Sequence, residues 1–467
     1  MTEQENEILL SGDQAKQMRE SARNGNAQAQ YALGYYYDNG PKSVQDKAEA
    51  AAWYRRAAEQ GLAKAQYAFA RLCYLGEGVP RDLEKAFDGF QKAAHQGIAM
   101  AQLYLGVCYM QGEGTARNPA KGAEWFQAAA RQGLADAQFV LAYSYAAGHG
   151  LQQDYIEAAK WYRRAAQQGL EKAVGQLRKA AEAGRPAAQY NLGCCYHHGD
   201  AVAQDKIEAV KWYRRSAHQG NTDAAEALRT LAEEGIAEAQ YALGLCYQRG
   251  SGVKRDRSRA VLLFRRAGQQ GHAEAQFAAG LCYYEGDGVV PNPAEAVKWY
   301  QLAAQQGVMK AEYNLASCFL EGIGVRHDAA QAVQWFQAAA RQNDVRAECA
   351  LGICYAEGTG VKQDFQQASA FLQGAADKGL ADAQFALGNL YYFGNGTERD
   401  RGAAADWFQK AAEQGFAPAQ YALGCCYIYG KGVDQNTADG VAWLQKAARQ
   451  HHRQARKLLF NITREER

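Results

Sequence analysis

The sequence repeats itself with a period of 36 residues, and this repeat constrains the fold more than any other feature. An Ala-Gln or Ala-Glu pair recurs eleven times; eight of the ten steps are 36 residues long and two are 51. The eleven alanines are Ala29, Ala65, Ala101, Ala137, Ala188, Ala239, Ala275, Ala311, Ala347, Ala383 and Ala419. One unit of this length cannot bury its apolar faces alone, so stacked copies must share a continuous core.

Each unit contains the pattern of two amphipathic helices, seen when the repeated Ala is counted as offset 0. Leu at offset 4, Gly or Ala at 5 and Tyr at 8 lie on one face of a first helix, which a Gly at offset 11 ends in all eleven copies. We expect that Gly to be left-handed. Asp or Asn at offset 17 predicts the N-cap of a second helix, with Trp at 24 and Ala at 28. All eight tryptophans stand at offset 24, which predicts core residues.

The consensus AQYALGxxYxxGxGVxxDxxKAxxWYxxAAxxG resembles the Sel-1-like repeat family, relatives of the tetratricopeptide repeat with a longer turn between the helices. The resemblance covers roughly residues 27–450. It implies an all-α fold, a right-handed superhelical α-solenoid of eleven helix-turn-helix repeats of 36 residues. It also implies a non-catalytic scaffold or adaptor for protein–protein interaction, without identifying a partner.

The two 51-residue steps each contain a single extra helix and divide the array. The predicted segments are an N-terminal tail and capping helix at 1–26, repeats 1–4 at 27–169, an insertion at 170–187, repeat 5 at 188–220, a second insertion at 221–238, repeats 6–11 at 239–450 and a C-terminal capping helix at 451–467. One extra helix in an antiparallel stack should invert whatever follows, so repeat 5 is expected to be inverted or sharply reoriented. The alternative is that each extra helix tucks aside and changes only the local curvature.

A partner-binding surface is expected where the core does not fix the residue type. Offsets 2, 6 and 9 share one face of the first helix, which lines the concave groove in the related tetratricopeptide architecture, and offset 10 lies beside it. Offset 2 is mostly aromatic and is expected to fill space between first helices. The other offsets predict a groove for a peptide or helix, rich in residue types common at interfaces. The candidate binding residues are Tyr35, Arg71, Tyr74, Met110, Tyr143, His197, Gln248, Arg249, Tyr284, Tyr392, Phe393, Ile428 and Tyr429.

Cysteine placement favours reduced thiols over disulfides or a metal site. Seven of the eleven cysteines share offset 7, and none lies in a second helix, so no hairpin has an internal pair. Cys194, Cys195, His197 and His198 form the one metal-like group, but adjacent helical positions point around the helix and do not converge. We therefore expect no metal, no cofactor and no catalytic residues.

Charge and hydropathy exclude several partner classes. Lys and Arg number 52 against 50 Asp and Glu, which does not favour nucleic acid. No apolar run is long enough for membrane insertion, and the first residues do not resemble a signal peptide. The expected protein is a cytoplasmic adaptor that binds a protein or peptide. The alternative is an enzyme or small-ligand binder with a pocket at a bend near residues 165–240.

Overall fold

The computed structural model describes residues 12–465, and every regular element in this range is an α-helix. The first helices of the eleven repeats are α2 (Ala27–Asn39), α4 (Ala63–Leu75), α6 (Ala99–Gln111), α8 (Ala135–Ala147), α11 (Pro186–His198), α14 (Ala237–Arg249), α16 (Ala273–Glu285), α18 (Met309–Glu321), α20 (Val345–Glu357), α22 (Ala381–Phe393) and α24 (Ala417–Tyr429). The second helices are α3 (Lys47–Glu59), α5 (Leu83–His95), α7 (Pro119–Arg131), α9 (Tyr155–Gln167), α12 (Lys206–His218), α15 (Arg257–Gln269), α17 (Pro293–Gln305), α19 (Ala329–Arg341), α21 (Phe365–Asp377), α23 (Arg401–Glu413) and α25 (Thr437–Arg449). Four further helices are α1 (Gly12–Arg23), α10 (Glu171–Glu182), α13 (Thr222–Glu233) and α26 (Arg453–Glu465). The predicted all-α repeat fold is confirmed.

Two compact units divide the chain. The first extends to Leu231 and includes Ser251–Val253; the second comprises Ala232–Gly250 and the chain from Lys254. Within each unit, a first helix packs against its own second helix, which then packs against the next first helix. None of the helices in residues 12–465 has the length and apolar character needed to cross a membrane.

Glycine at offset 5 brings the two helices of a hairpin together. A Cβ added at Gly34 would lie 2.7 Å from the ring of Tyr54, and one at Gly106 would lie 2.5 Å from the ring of Phe126. The aromatic residue at offset 25 occupies that space and is almost fully buried in both repeats. The small residue on the first helix and the large one on the second therefore form one packing unit.

The predicted caps are present, with one exception. All eleven second helices begin after the Asp or Asn at offset 17, whose side chain accepts from backbone N–H groups of the first turn. Ten first helices end at a left-handed Gly, but Gly40 is extended, with φ −71° and ψ −174°. The expectation of a left-handed Gly40 was wrong. Pro41 follows it, and a residue before proline is restricted to extended backbone.

The tryptophans are less buried than predicted. Trp53, Trp212 and Trp299 are buried, while the other five are only half-buried. A cation covers the exposed side of several of these rings, as Arg164 does for Trp161 at 4.3 Å from the ring centroid. Trp at offset 24 thus lies at the edge of the core in most repeats. In Trp212 and Trp299 the indole nitrogen is buried without a hydrogen-bond partner.

A ladder of glutamine side chains ties each repeat to the helix before it. Gln66 Nε2 donates to the Ala58 carbonyl at 3.4 Å, and its Oε1 accepts from Gln96 Nε2 at 2.8 Å. The same pairing of offsets 1 and 31 occurs in every repeat, with Glu at offset 1 in repeats 8 and 9. The Gln of the repeated Ala-Gln pair, at offset 1, therefore satisfies a free carbonyl at the end of the preceding second helix.

The extra helix α10 resembles a second helix in its contacts with α11. Arg178 donates to the Tyr196 hydroxyl at 2.5 Å, as Gln127 of the second helix α7 donates to the Tyr145 hydroxyl of α8 at 3.0 Å. Helix α10 also packs on α9, and α9 contacts α11 directly. The orientation of repeat 5 and the predicted segment boundaries stay predictions.

Candidate protein-interaction surface

The thirteen predicted binding residues all lie on first helices. We call these positions the first-helix face. Five of them are exposed: Tyr143, Arg249, Tyr284, Phe393 and Tyr429. The other eight are half-buried: Tyr35, Arg71, Tyr74, Met110, His197, Gln248, Tyr392 and Ile428. The five exposed residues are the ones available to a partner without rearrangement.

Arg71 is held in an ion-pair cluster around the buried Asp38, between repeats 1 and 2. Its guanidinium donates to the Asp38 carboxylate at 2.5 Å, and Tyr54 donates its hydroxyl to the same carboxylate at 3.3 Å. Lys47 donates to the other carboxylate oxygen. Asp38 is almost fully buried. Asp38 was not among the predicted residues, although it stands at offset 9 on the predicted face. Its contact gives Arg71 a structural role.

Offset 9 residues also pair with an acidic residue at offset 12 of the next repeat. The Tyr74 hydroxyl donates to Glu113 at 2.6 Å, and Gln248 donates to Asp287 at 3.4 Å. Burial and the bond to Glu113 raise the pKa of Tyr74. Glu113 and Asp287 could have been recognised in the sequence as acidic residues directly after the Gly at offset 11.

Other predicted residues fill space inside the repeats. Met110 and Ile428 approach the second-helix glycines Gly122 and Gly440, where an added Cβ would lie 3.3 and 2.5 Å from their side chains. His197 stacks on His198, and its ring nitrogen lies 3.3 Å from the Tyr213 hydroxyl. These three side chains pack against their own hairpins, so less of their surface is available to a partner.

An aromatic pair, of which Phe393 is exposed and Tyr392 half-buried, ends helix α22. Tyr392 and Phe393 have ring centroids 5.1 Å apart, and Arg401 lies 5.6 Å from the Tyr392 ring. Phe393 is 62% exposed, and Tyr429 occupies the same offset one repeat later. Neighbouring exposed aromatic residues of this kind are typical of protein-binding surfaces.

A pocket of about 680 Å³ opens on the first-helix face of repeats 7 and 8. Helices α16, α17, α18 and α20 contribute its walls, which are Phe277, Leu281, Tyr284, Glu285, Tyr300, Lys310, Tyr313, Asn314, Ser317, Cys318 and Arg346. Offsets 2, 6 and 9 supply much of this lining. The pocket thus lies on the predicted face and away from residues 165–240.

The Tyr300 hydroxyl, in the wall of this pocket, lacks a hydrogen-bond partner. The hydroxyl is buried, and no donor or acceptor meets hydrogen-bond geometry with it. Burial raises the pKa of Tyr300, and the nearby amide of Asn314 offsets part of that rise. The equivalent hydroxyls of Tyr54 and Tyr213 meet a polar residue at offset 9 of their own repeats. In repeat 7 that offset is Tyr284, which leaves the hydroxyl open to a ligand.

The cysteines are free thiols, and ten of the eleven are buried. Burial raises the pKa of Cys195 to about 12, so this thiol is protonated at neutral pH and is a poor metal ligand. His198 is exposed while Cys194 and Cys195 are buried, so the side chains of the predicted metal-like group lie in different environments. Within residues 12–465, no group of three or more His, Cys, Asp or Glu side chains is arranged to hold a metal ion.

Similarity to solved structures extends over the whole chain. The protein c5321, described as a protective antigen present in uropathogenic Escherichia coli strains and displaying an SLR fold, is 33% identical over 97% of this chain and 91% of its own, with a TM-score of 0.50. A Sel1 repeat protein from Oxalobacter formigenes is 34% identical over 49% of this chain and 94% of its own, with a TM-score of 0.46. No curated protein matches the sequence.

The repeats themselves match one family model eleven times. The Sel1 repeat model covers residues 27–62, 63–98, 99–134, 135–170, 186–221, 237–272, 273–308, 310–344, 345–380, 381–416 and 417–452. These matches follow the helical hairpins described above and include most of the chain. The chain therefore belongs to the Sel1 repeat family.

Proposed function

We propose that this chain is a cytoplasmic, non-catalytic adaptor that binds a partner peptide or helix on the first-helix face, with repeats 7 and 8 as the principal docking site. Sel1 repeats generally mediate protein–protein interaction, and the family is generally non-enzymatic. The buried free thiols support a reducing compartment.

The observation that carries the proposal is the pocket of about 680 Å³ with the unpartnered Tyr300 hydroxyl in its wall. A buried polar group without a partner costs free energy, and a peptide carbonyl or polar side chain that reached it would recover a hydrogen bond. Tyr284, 40% exposed at the rim, offers a large contact area at small entropic cost. Pocket, donor and aromatic rim together fit a peptide that inserts one side chain.

The test is an affinity pull-down from native lysate with three versions of the full chain. Tyr284→Ala removes the aromatic rim, and Leu302→Ala is the matched control, because Leu302 is similarly exposed (44%) but lies on the second helix of the same repeat. We expect a partner that the wild type and Leu302→Ala retain and that Tyr284→Ala loses. A partner held equally by all three proteins would exclude this pocket.

A second variant separates recognition from folding. Tyr300→Phe removes only the unpartnered hydroxyl, so stability should be unchanged within about 0.5 kcal/mol or should rise. Affinity for the partner identified above should fall roughly three- to tenfold if the hydroxyl donates to it. Unchanged affinity in Tyr300→Phe would leave the hydroxyl without a role in binding and contradict the insertion model.

A further inference from the structure

A second pocket opens where one repeat lacks its tryptophan. In repeats 3, 4 and 7 the ring at offset 24 packs against the second helix of the preceding repeat. Trp125 packs on the cluster that contains Ala93 and Ala94 of α5, and Trp161 packs on the cluster that contains Ala129 of α7. Repeat 2 has Gly89 at this offset. The position normally filled by an indole is therefore without a side chain.

The resulting pocket has a volume of about 550 Å³ and lies between α3 and α5. Arg55 and Ala58 of α3 form one wall, Phe69 of α4 lies in its lining, and Gly89 and Lys92 of α5 belong to the other wall. This is the same place, relative to the preceding second helix, that the ring of Trp161 occupies two repeats later. The pocket thus has walls that the repeat uses elsewhere to hold an indole.

Repeat 9 also has a pocket beside offset 24. Phe371 stands at offset 24 there, and a smaller pocket of about 350 Å³ lies beside it. Its lining includes Ala340 and Arg341 of α19, the preceding second helix. Both pockets therefore lie beside a side chain smaller than Trp at this offset.

Repeat 2 keeps a cation at the position that covers the Trp ring in other repeats, although it has no Trp. In five repeats an Arg or Lys three residues after the Trp lies 3.6–4.6 Å from the ring centroid: Arg56, Arg164, Arg215, Lys410 and Lys446. Lys92 holds this position after Gly89, and its ammonium is 2.6 Å from Asp88. In repeat 9 the equivalent residue is Gly374. Only the pocket of repeat 2, of these two, combines the space for a ring with a cation to cover it.

The chain cannot fill the pocket of repeat 2 from position 89 itself. A Cβ added at Gly89 would lie 2.8 Å from the Cβ of Ala70, closer than side chains approach without a shift of the helices. Helices α4 and α5 are therefore packed too closely for a Trp on α5. A ring in this pocket has to come from another molecule.

We propose that the pocket at Gly89 binds a tryptophan side chain of a partner protein, with the indole placed as in the other repeats and the Lys92 ammonium over its face. The site is independent of the first-helix face, because its walls are mainly the second helices α3 and α5 and the turn that precedes α5. Its rim carries charges of both signs, including Glu59 and Asp88 beside Arg55 and Lys92, which suits a peptide flanking the ring.

The experiment measures binding of 5-fluoroindole to the full chain by fluorine NMR, with N-acetyl-tryptophanamide as the competitor. We expect saturable binding that N-acetyl-tryptophanamide displaces and that Ala58→Leu, which fills the pocket from α3, abolishes. Lys92→Gln should weaken binding roughly two- to fivefold, the worth of an exposed cation–π contact. Lys85→Gln is the matched control, because it removes a rim charge whose offset differs from that of the ring-covering cations.

Trp161→Gly supplies a positive control by opening the equivalent pocket beneath Arg164 in repeat 4. This variant should gain one further 5-fluoroindole site. Binding to Trp161→Gly without binding to the wild type would overturn the proposal, as would wild-type binding that persists in Ala58→Leu. Binding of 5-fluoroindole that N-acetyl-tryptophanamide cannot displace would assign the pocket to a free small molecule and not to a protein side chain. If Ala58→Leu fails to fold, the comparison of Lys92→Gln with Lys85→Gln decides.

Discussion

The Arg71 guanidinium reaches across the boundary between repeats 1 and 2 and donates to the buried Asp38 carboxylate at 2.5 Å. Lys47 and Tyr54 donate to the same carboxylate. Asp38→Ala would remove the carboxylate that all three donors share. We expect a loss of about 2–3 kcal/mol, somewhat less than a fully buried pair would lose, because Arg71 and Lys47 stay partly exposed.

Native-state hydrogen exchange in α2 to α5 would measure this loss locally, which suits an array whose repeats need not unfold together. Glu59→Ala is the control. Its partner Arg55 is an exposed residue at i,i−4, so we expect a change within about 0.5 kcal/mol. Equal protection in Asp38→Ala and Glu59→Ala would show that the cluster adds nothing to the repeat interface.

Glu312 interrupts the glutamine ladder with a carboxyl group. Burial raises the pKa of this carboxyl, and the amide of Gln342, which donates to it at 2.9 Å, offsets part of the rise. The unfolded chain therefore releases the proton at a lower pH than the folded chain does. Stability should fall as the pH rises from the unfolded pKa, about 4.3, to the raised folded pKa, and stay low above it.

Glu312→Gln removes this titration and restores the donor that Gln66 and Gln276 aim at the preceding second helix. We expect the variant to be more stable than the wild type at pH 7, with the advantage shrinking below about pH 4 as Glu312 becomes neutral in both states. Thermal unfolding from pH 3.5 to 7.5 checks this. An advantage that is constant across that range would trace to packing and not to the carboxyl charge.

The repetition in the sequence is what made most of the fold predictable. The first and the second helix of the repeat each occur in eleven copies with similar caps and apolar spacing. A local exception such as Gly40 therefore did not obscure the pattern. Tyr284 and Phe393 of the first-helix face are exposed, at offsets where the residue type varies between repeats. Partner binding on that face stays a prediction.

What escaped prediction depends on single substitutions meeting across helices. Asp38 and Arg71 differ by three offsets and lie on different repeats, so nothing local pairs them. The Tyr300 hydroxyl lacks a partner where Tyr284 stands at the offset that Asp38 and His197 use to meet the equivalent hydroxyls. The pocket at Gly89 depends on a glycine at the offset of Trp, and the close approach of Ala70 keeps a larger side chain out of that position. A repeat consensus omits residues that occur in only one copy, although their packing gives individual repeats their specific contacts and pockets.

Cys425 should be the one promptly reactive thiol of the chain. It is half-buried, whereas the other ten are buried, and the pKa of Cys108 and Cys282 rises to about 12 through burial. Burial also raises the pKa of Cys425, but the bond from Tyr421 and the charge of Lys431 lower it. A thiol that is both accessible and less strongly protonated reacts first.

Titration with a chromogenic disulfide reagent at pH 8 should therefore show one fast thiol in the native protein and the remainder only after unfolding. Cys425→Ser should remove the fast phase and leave the melting temperature nearly unchanged. A fast phase that survives in Cys425→Ser would mean that the repeats open locally and expose their buried cysteines.

Ala201 occupies a left-handed conformation that nine other repeats give to glycine. Its φ is +54°, and it stands at offset 13, where nine repeats have Gly. The left-handed region costs a residue with a Cβ roughly 1–2 kcal/mol, while glycine adds entropy to the unfolded chain. Ala201→Gly should therefore stabilise the protein by about 0.5–1 kcal/mol, the difference between the two effects.

Ala146→Gly is the matched control for Ala201→Gly. Ala146 is half-buried within the right-handed helix α8, so this substitution should cost about 1 kcal/mol of stability. Hydrogen exchange in α11 and α12, compared with that in α8 and α9, measures both changes in the same fold. A loss of protection in Ala201→Gly would show that the methyl group, which packs on the cluster around Leu192, contributes more than the strain it causes.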